Sequence, residues 1–431
     1  MLRTKSGQRL EAGLAVAFLL ALASCGFEPS NAELAWKLSK ASEKSLADAP
    51  KERETLAREL TRLFGTPAAP QYGLPVAENG RGELGSARWD ELVQDNRRRF
   101  ADPLAALERG EFDADLRFDS APELTRSWRA LAALPPVERS AKARALLVDS
   151  YPALGDSSEL YRQQCLYCHG VEGGGDGPTA ATLDPRPRDF RKGIFKFTAV
   201  KQKARPRRED LVHILDVGVY GTAMTTFRRL SEAEREGLAD YVRLLAIRGE
   251  VEGLLLAAHA EGDELYDAQA DSSFAAIWGK WRKAREQFIA FDGVVSADTP
   301  AMRTRGKELY LDTKKGNCVS CHGAEGLGDG ILVWKIDAQG RRVPAYQDDW
   351  GFDIKPANLR TGIFRGGYRP IDIYRRIYAG INGGPMPGVG ESKDAEGKPL
   401  LSAEDMWALV HYVRSLSERA SDPSSGAGGA H

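Results

Sequence analysis

Two short stretches constrain this chain more than any other feature: Cys165-Leu166-Tyr167-Cys168-His169 and Cys318-Val319-Ser320-Cys321-His322. Cys-x-x-Cys-His is the attachment signature of a c-type haem. Its two thiols add to the haem vinyl groups as thioethers, and the adjacent imidazole becomes an axial ligand of the iron. One copy of so short a pattern could instead serve zinc. Two copies in matching surroundings point to two covalently bound haem c groups, with Cys165, Cys168, Cys318 and Cys321 as attachment points and His169 and His322 on the irons.

The surroundings match in four blocks that keep one order. Cys168-His169-Gly170-x-x-Gly173-x-Gly175-Asp176-Gly177 repeats as Cys321-His322-Gly323-x-x-Gly326-x-Gly328-Asp329-Gly330. Pro187-x-Asp189-Phe190-Arg191-x-Gly193-Ile194-Phe195 repeats as Pro356-x-Asn358-Leu359-Arg360-x-Gly362-Ile363-Phe364. Asp210, Gly218 and Met224 match Asp372, Gly380 and Met386, while Leu230-Ser231 and Tyr241-Val242-Arg243 match Leu401-Ser402 and Tyr412-Val413-Arg414. Such order signals duplication of a whole domain. The second copy carries an insert over about 331–353, with Trp334 and Trp350, that reads as a hairpin beside the haem and as inert elaboration rather than a lid.

Both copies resemble class I cytochrome c domains, over 156–247 and 299–417, about half of the chain. Tandem domains of this kind are similar to dihaem cytochromes c4 and to the dihaem subunit of cbb3-type oxidases. The resemblance implies a mainly α fold in which the helices bearing Tyr241 and Tyr412 cross those bearing Tyr161 and Tyr310. It also implies a methionine opposite each histidine. Met224, in Gly-Thr-Ala-Met, and Met386, in Gly-Gly-Pro-Met-Pro, resemble the axial loop of the family and are the expected sixth ligands, although Thr225 stands where the second copy has Pro387. Met302 and Met406 read as packing residues; His213, His259 and His411 are rival ligands that lack a histidine partner in the other copy. Arg191 and Arg360 are matched candidates for the haem propionates, and the basic run from Arg186 to Arg208 reads either as a solvated loop or as a surface steering an acidic redox partner.

The fifth cysteine, Cys25, follows a basic start and an apolar run from Leu14 to Ala23. About ten apolar residues are too few to span a bilayer, which needs roughly 20. Leu22-Ala23-Ser24-Cys25-Gly26 resembles a bacterial lipobox, implying removal of a signal peptide over 1–24, lipidation of Cys25, and a mature chain on the periplasmic side of a membrane. No cysteine is left for a structural disulfide, and a formal charge of −1 makes no case for nucleic acid.

The remaining segments read as helical: 25–150 as a spacer packed on the first haem domain or a docking module, 251–297 as a linker setting the haem geometry, and 421–431 as a disordered tail. The haem domains accordingly occupy 151–250 and 298–420. Asp156 with Glu159 predicts a capping box before the first motif, and Thr299-Pro300 an N-cap before the second. Eight residues separate Tyr310 from Cys318 but only four separate Tyr161 from Cys165, which predicts an extra turn or bulge. The expected function is that of a membrane-anchored dihaem electron carrier, exchanging single electrons with a membrane reductase and a terminal oxidase; the alternative is a dihaem enzyme of peroxidase or thiosulfate dehydrogenase type.

Overall fold

Caps and apolar faces define a mainly helical protein, and the structure, a computed structural model, describes residues 35–70, 101–117, 122–149, 154–265, 267–291 and 293–420. The described part of the N-terminal region contains five α-helices: α1 (Lys40–Ser45), α2 (Pro50–Phe64), α3 (Ala101–Glu108), α4 (Pro122–Ala130) and α5 (Pro136–Asp149). The first haem domain adds α6 (Leu154–Gln164), α7 (Leu166–His169), α8 (Arg208–Val217) and α9 (Glu232–Ala260). Then come α10 (Asp267–Arg282), α11 (Pro300–Leu311), α12 (Val319–His322), α13 (Pro370–Ala379) and α14 (Ala403–Ala420). Cys25 and the tail 421–431 lie outside the described residues.

The N-terminal region is two units, not one. Leu56, Leu60, Leu63 and Phe64 of α2 are buried in the core of the first haem domain. Phe64 meets Phe274 at 5.7 Å, and Arg62 reaches Asp271 at 2.6 Å. Buried Glu252 accepts from the Ser39 amide at 2.6 Å and the Ser42 hydroxyl at 2.7 Å, with Arg248 at 3.4 Å. By contrast, Leu104, Leu107, Trp128, Ala143 and Leu147 form a small core of their own, in which Trp128 donates to the Asp113 carbonyl at 2.7 Å.

A boundary at 250 is likewise not observed, because α9 runs unbroken for 29 residues, about 43 Å at 1.5 Å per residue. Its start is a reciprocal cap: Ser231 Oγ accepts from the Glu234 amide and Glu234 Oε2 from the Ser231 amide. Helix α10 folds back and buries Phe274, Ile277, Trp278 and Trp281 in the first core, so most of the linker belongs to that domain. Beyond it, 199–201 and 287–289 pair antiparallel through Ile289 N–H to Ala199 and Lys201 N–H to Gln287, and Ile289 is buried in the second core.

The terminal helices of each domain cross as the resemblance implied. Tyr161 meets Tyr241 at 5.1 Å, and Tyr310 meets Tyr412 at 5.2 Å. Gly306 makes the second crossing close, since a Cβ there would overlap the backbone of Ala408. Two local expectations are corrected. Helix α6 starts at Leu154, so Asp156 lies inside its first turn, where a carboxylate suits the helix dipole, and Glu159 pairs with Arg162 instead of capping. The extra residues before Cys318 form a turn at Asp312–Asn317, closed by Asn317 N–H on the Asp312 carbonyl, rather than a further turn of helix. Thr299 does cap α11, accepting from the Met302 amide at 3.2 Å.

The second-domain insert contains two antiparallel pairs: β1 (Trp334–Ile336) with β2 (Arg342–Pro344), and β3 (Tyr346–Gln347) with β4 (Asp353–Ile354). The tip of the second hairpin, 348–351, is turned by Asp348, whose Oδ1 accepts from the amides of Trp350 and Phe352 at 3.1 Å.

Candidate haem-binding sites

Each Cys-x-x-Cys-His sits on a single helical turn, α7 or α12, that ends at a glycine of positive φ. His169 Nδ1 lies 3.0 Å from the Arg188 carbonyl and His322 Nδ1 3.1 Å from the Ala357 carbonyl. Arg188 and Ala357 hold equivalent places in the repeat. A ring nitrogen facing a carbonyl must carry the proton, so Nε2 keeps the lone pair that iron requires. Burial pushes both imidazoles below their ordinary range, His169 to about 4 with the Arg188 charge adding, which favours the neutral rings.

The loop after each histidine is built alike. Gly170, Gly173 and Gly175 have φ of 77°, 72° and 69°, and Gly323, Gly326 and Gly328 have 74°, 74° and 78°. Only glycine enters this region freely. Gly175 and Gly328 donate to the carbonyls of His169 and His322 at 2.9 Å. Tyr161 Oη donates to Gly170 and Tyr310 Oη to Gly323, both at 2.8 Å, tying the crossing helices to the residue that follows each histidine.

Met224 and Met386 also occupy equivalent loops. Gly218 and Gly380 end α8 and α13, and the next amides, of Val219 and Ile381, donate to the carbonyls of Met224 and Met386 at 2.9 and 3.1 Å. Both methionines are half-buried, and Met224 packs against the first core. Met302 and Met406 pack in the second core. Of the rival histidines, His411 has Nε2 on the Ser296 carbonyl at 2.8 Å, while His213 and His259 are half-buried on α8 and α9.

These residues fit haem c better than zinc. Burial pushes the Cys165 and Cys318 thiols up to about 12. Among the described residues no three Cys, His, Asp or Glu side chains converge as a metal-holding group.

The basic run from Arg186 to Arg208 is neither a solvated loop nor a free patch over much of its length. Arg205 pairs with Glu250, Arg207 with Asp210, Arg208 with Asp240, and Lys201 with Glu391. Arg191, a propionate candidate, lies fork-on-fork on Asp189 at 2.9 Å. Arg360 donates its backbone N–H to Asn358 at 3.0 Å.

The two domains meet through equivalent residues, which sequence reasoning missed. A Cβ on Gly221, in the Met224 loop, would stand 2.6 Å from Ile363. A Cβ on Gly383, in the Met386 loop, would stand 3.0 Å from Ile194. Gly221 and Gly383 match, as do Ile194 and Ile363, so the seam has approximate two-fold character. Around it, half-buried Arg376 donates to the Lys196 carbonyl at 2.7 Å and to the Thr198 carbonyl, and desolvation lowers its pKa to about 10. Asn382 Oδ1 accepts from the Lys203 amide at 2.6 Å. The insert is part of the same seam and is therefore not inert: Trp350 stacks under Arg188 at 3.8 Å and Asp348 binds Lys196 at 2.8 Å. No sequence periodicity could have shown these contacts, which join residues about 160 positions apart.

A family model described as cytochrome c matches residues 304–417, and one described as cytochrome c oxidase, cbb3-type, subunit III matches 152–242. No curated protein matches the chain. Among solved structures, a chain of the Kuenenia stuttgartiensis reducing HAO-like protein complex Kustc0457/Kustc0458 is similar at 29% identity. The match covers 61% of this chain and 95% of that one, with a TM-score of 0.44. Motif, repeat and family models agree: this protein carries two c-type cytochrome domains, which imply covalent haem c and haem-based electron transfer.

Proposed function

We propose that the protein is a dihaem electron carrier, anchored through lipidated Cys25 on the periplasmic side of a bacterial membrane. There it passes single electrons between a membrane reductase and a terminal acceptor such as an oxidase. Bound haem c supplies a one-electron Fe(III)/Fe(II) couple. Cys165 and Cys168 would hold the first group and Cys318 and Cys321 the second, with His169 and Met224, then His322 and Met386, as axial ligands. A thioether opposite an imidazole stabilises the ferrous state and raises the potential relative to two imidazoles.

The observation that carries this reading is the matched pairing of histidine relay and methionine loop in both domains. Each histidine has Nδ1 committed to a carbonyl, and each methionine lies six residues beyond the glycine that ends α8 or α13. Two axial side chains per iron favour electron exchange over substrate binding. Among the described residues no helix is long and apolar enough to cross a membrane, so attachment in this reading rests on Cys25.

Visible spectroscopy of the purified protein tests it. Two low-spin haems per chain with a methionine-to-iron charge-transfer band are expected; high-spin haem with turnover of peroxide or thiosulfate would replace the carrier with an enzyme. Fractionation tests the anchor: Cys25→Ser is expected to move the protein from the membrane to the soluble fraction.

A further inference from the structure

The two histidine relays differ in one respect. Ala357, whose carbonyl faces His322, has no side chain beyond Cβ, whereas Arg188, whose carbonyl faces His169, extends a guanidinium across the seam. That guanidinium stacks on Trp350 at 3.8 Å and lies 3.6 Å from Asp348 Oδ2. Trp350 Nε1 donates to the carbonyl of the next residue, Asp189, at 3.2 Å. Lys192 donates to the Asp349 carbonyl, and Lys196 Nζ bonds Asp348 Oδ2 at 2.8 Å. The tip of one domain's hairpin thus grips both sides of the peptide that orients the other domain's histidine.

We propose that Asp348 and Trp350 are positioning residues for the first haem, a strap from the second domain that holds the Arg188 carbonyl on His169 and so sets the potential of that iron apart from its partner's. This rests on the dihaem reading above. A carbonyl held firmly on Nδ1–H makes the imidazole a stronger donor and favours ferric iron. Asp348 adds a negative charge that balances Arg188 and Lys196 beside the same site. Loosening the grip or removing the charge therefore acts in one direction, towards a higher potential for the first haem. Among the described residues nothing equivalent reaches Ala357. The tip also touches the Met386 loop, where the Asp349 N–H donates to the Gly383 carbonyl at 3.1 Å and a Cβ on Gly383 would stand 2.5 Å from Trp350, so the selective variant is Asp348→Asn, whose partners across the seam are Arg188 and Lys196.

The test is spectroelectrochemistry of the holoprotein and of Asp348→Asn and Trp350→Phe. Each is repeated in a Met386→His background, where the second imidazole drops the other haem's wave and isolates the first. The expected result is an upward shift of the first wave in both variants, larger than any shift of the second, with the second unmoved in Asp348→Asn and both haems low-spin. Trp350→Phe keeps the ring and guards against a folding failure in the charge variant. An unmoved first wave, or an equal shift of both waves, would overturn the strap. High-spin haem in the wild type would instead overturn the methionine-ligated carrier reading above, and the proposal with it.

Discussion

Ile363 of the second domain lies 2.6 Å from the point where a Cβ on Gly221 of the first would stand, and a Cβ on the matched Gly383 would stand 3.0 Å from the matched Ile194 but nearer, at 2.5 Å, to Trp350 of its own domain. Gly221 has φ 72° and Gly383 φ 69°, so each is strained for any other residue. Gly221→Ala is expected to cost about 1–2 kcal/mol from backbone conformation, with a further loss where the methyl meets Ile363. Thermal unfolding measures the loss. Slower electron equilibration between the haems, read by flash reduction, would show that the seam has opened.

The axial assignment makes a spectral prediction. Met224→Ala should convert one haem to a high-spin form and leave the other's spectrum intact, and Met386→Ala should do the reverse. Two unchanged low-spin haems in either variant would show that another residue holds that iron. Because the thiols are untouched, attachment should persist, which the haem content of the denatured protein verifies.

Tyr310 Oη is buried and donates to Gly323, and Tyr161 does the same to Gly170. Tyr310→Phe removes one of two donors to the Gly323 carbonyl, which also accepts from the Gly326 amide at 3.2 Å, and should cost about 0.5–1.5 kcal/mol. A denaturation midpoint that does not fall would mean that the Gly326 amide alone satisfies the carbonyl. Tyr161→Phe is expected to behave alike, since both hydroxyls serve the same place in the repeat.

Docking of the N-terminal helices depends on Glu252, buried at 2% exposure, which binds Ser39, Ser42 and Arg248. Glu252→Ala leaves buried Arg248 without its carboxylate, holding the Lys37 carbonyl at 3.2 Å and the face of Trp36, and should destabilise by about 3–5 kcal/mol. Limited proteolysis should then cut between 35 and 70 faster than in the wild type, while equal rates would show that α1 and α2 are held by apolar packing alone.

The strap should also respond to acid. Burial by itself would raise the Asp348 carboxyl, but hydrogen bonds from Lys196 and from the Phe352 and Trp350 amides, with the Lys196 charge, hold it below the ordinary carboxylate range. A depressed carboxyl contributes stability above its unfolded value, near about 4, and loses it as pH falls through the lower folded value. Fluorescence of Trp350, resolved by difference against Trp350→Phe, should therefore stay constant from neutral pH down to about 4 and change only below it. A transition near pH 6 would point to a histidine instead.

How much was legible beforehand follows from the range over which each feature is encoded. The two haem motifs, the matched methionines, the glycine loops and the cap at Thr299 are local patterns, in which the chemistry needs particular residues a fixed few positions apart. Comparing the chain with itself was enough to pair them. The contact of Trp350 with Arg188, the two-fold seam at Gly221 and Gly383, the burial of α2 in the first domain and the unbroken passage of α9 beyond residue 250 were decided only by tertiary structure. A basic run looks the same in sequence whether its charges face water or meet Asp348, Glu250 and Glu391, because the partners come from distant segments and follow no periodicity. The sequence by itself thus determined the two cytochrome c domains and the motifs they present, while the packing of one domain on the other decided what surrounds each motif.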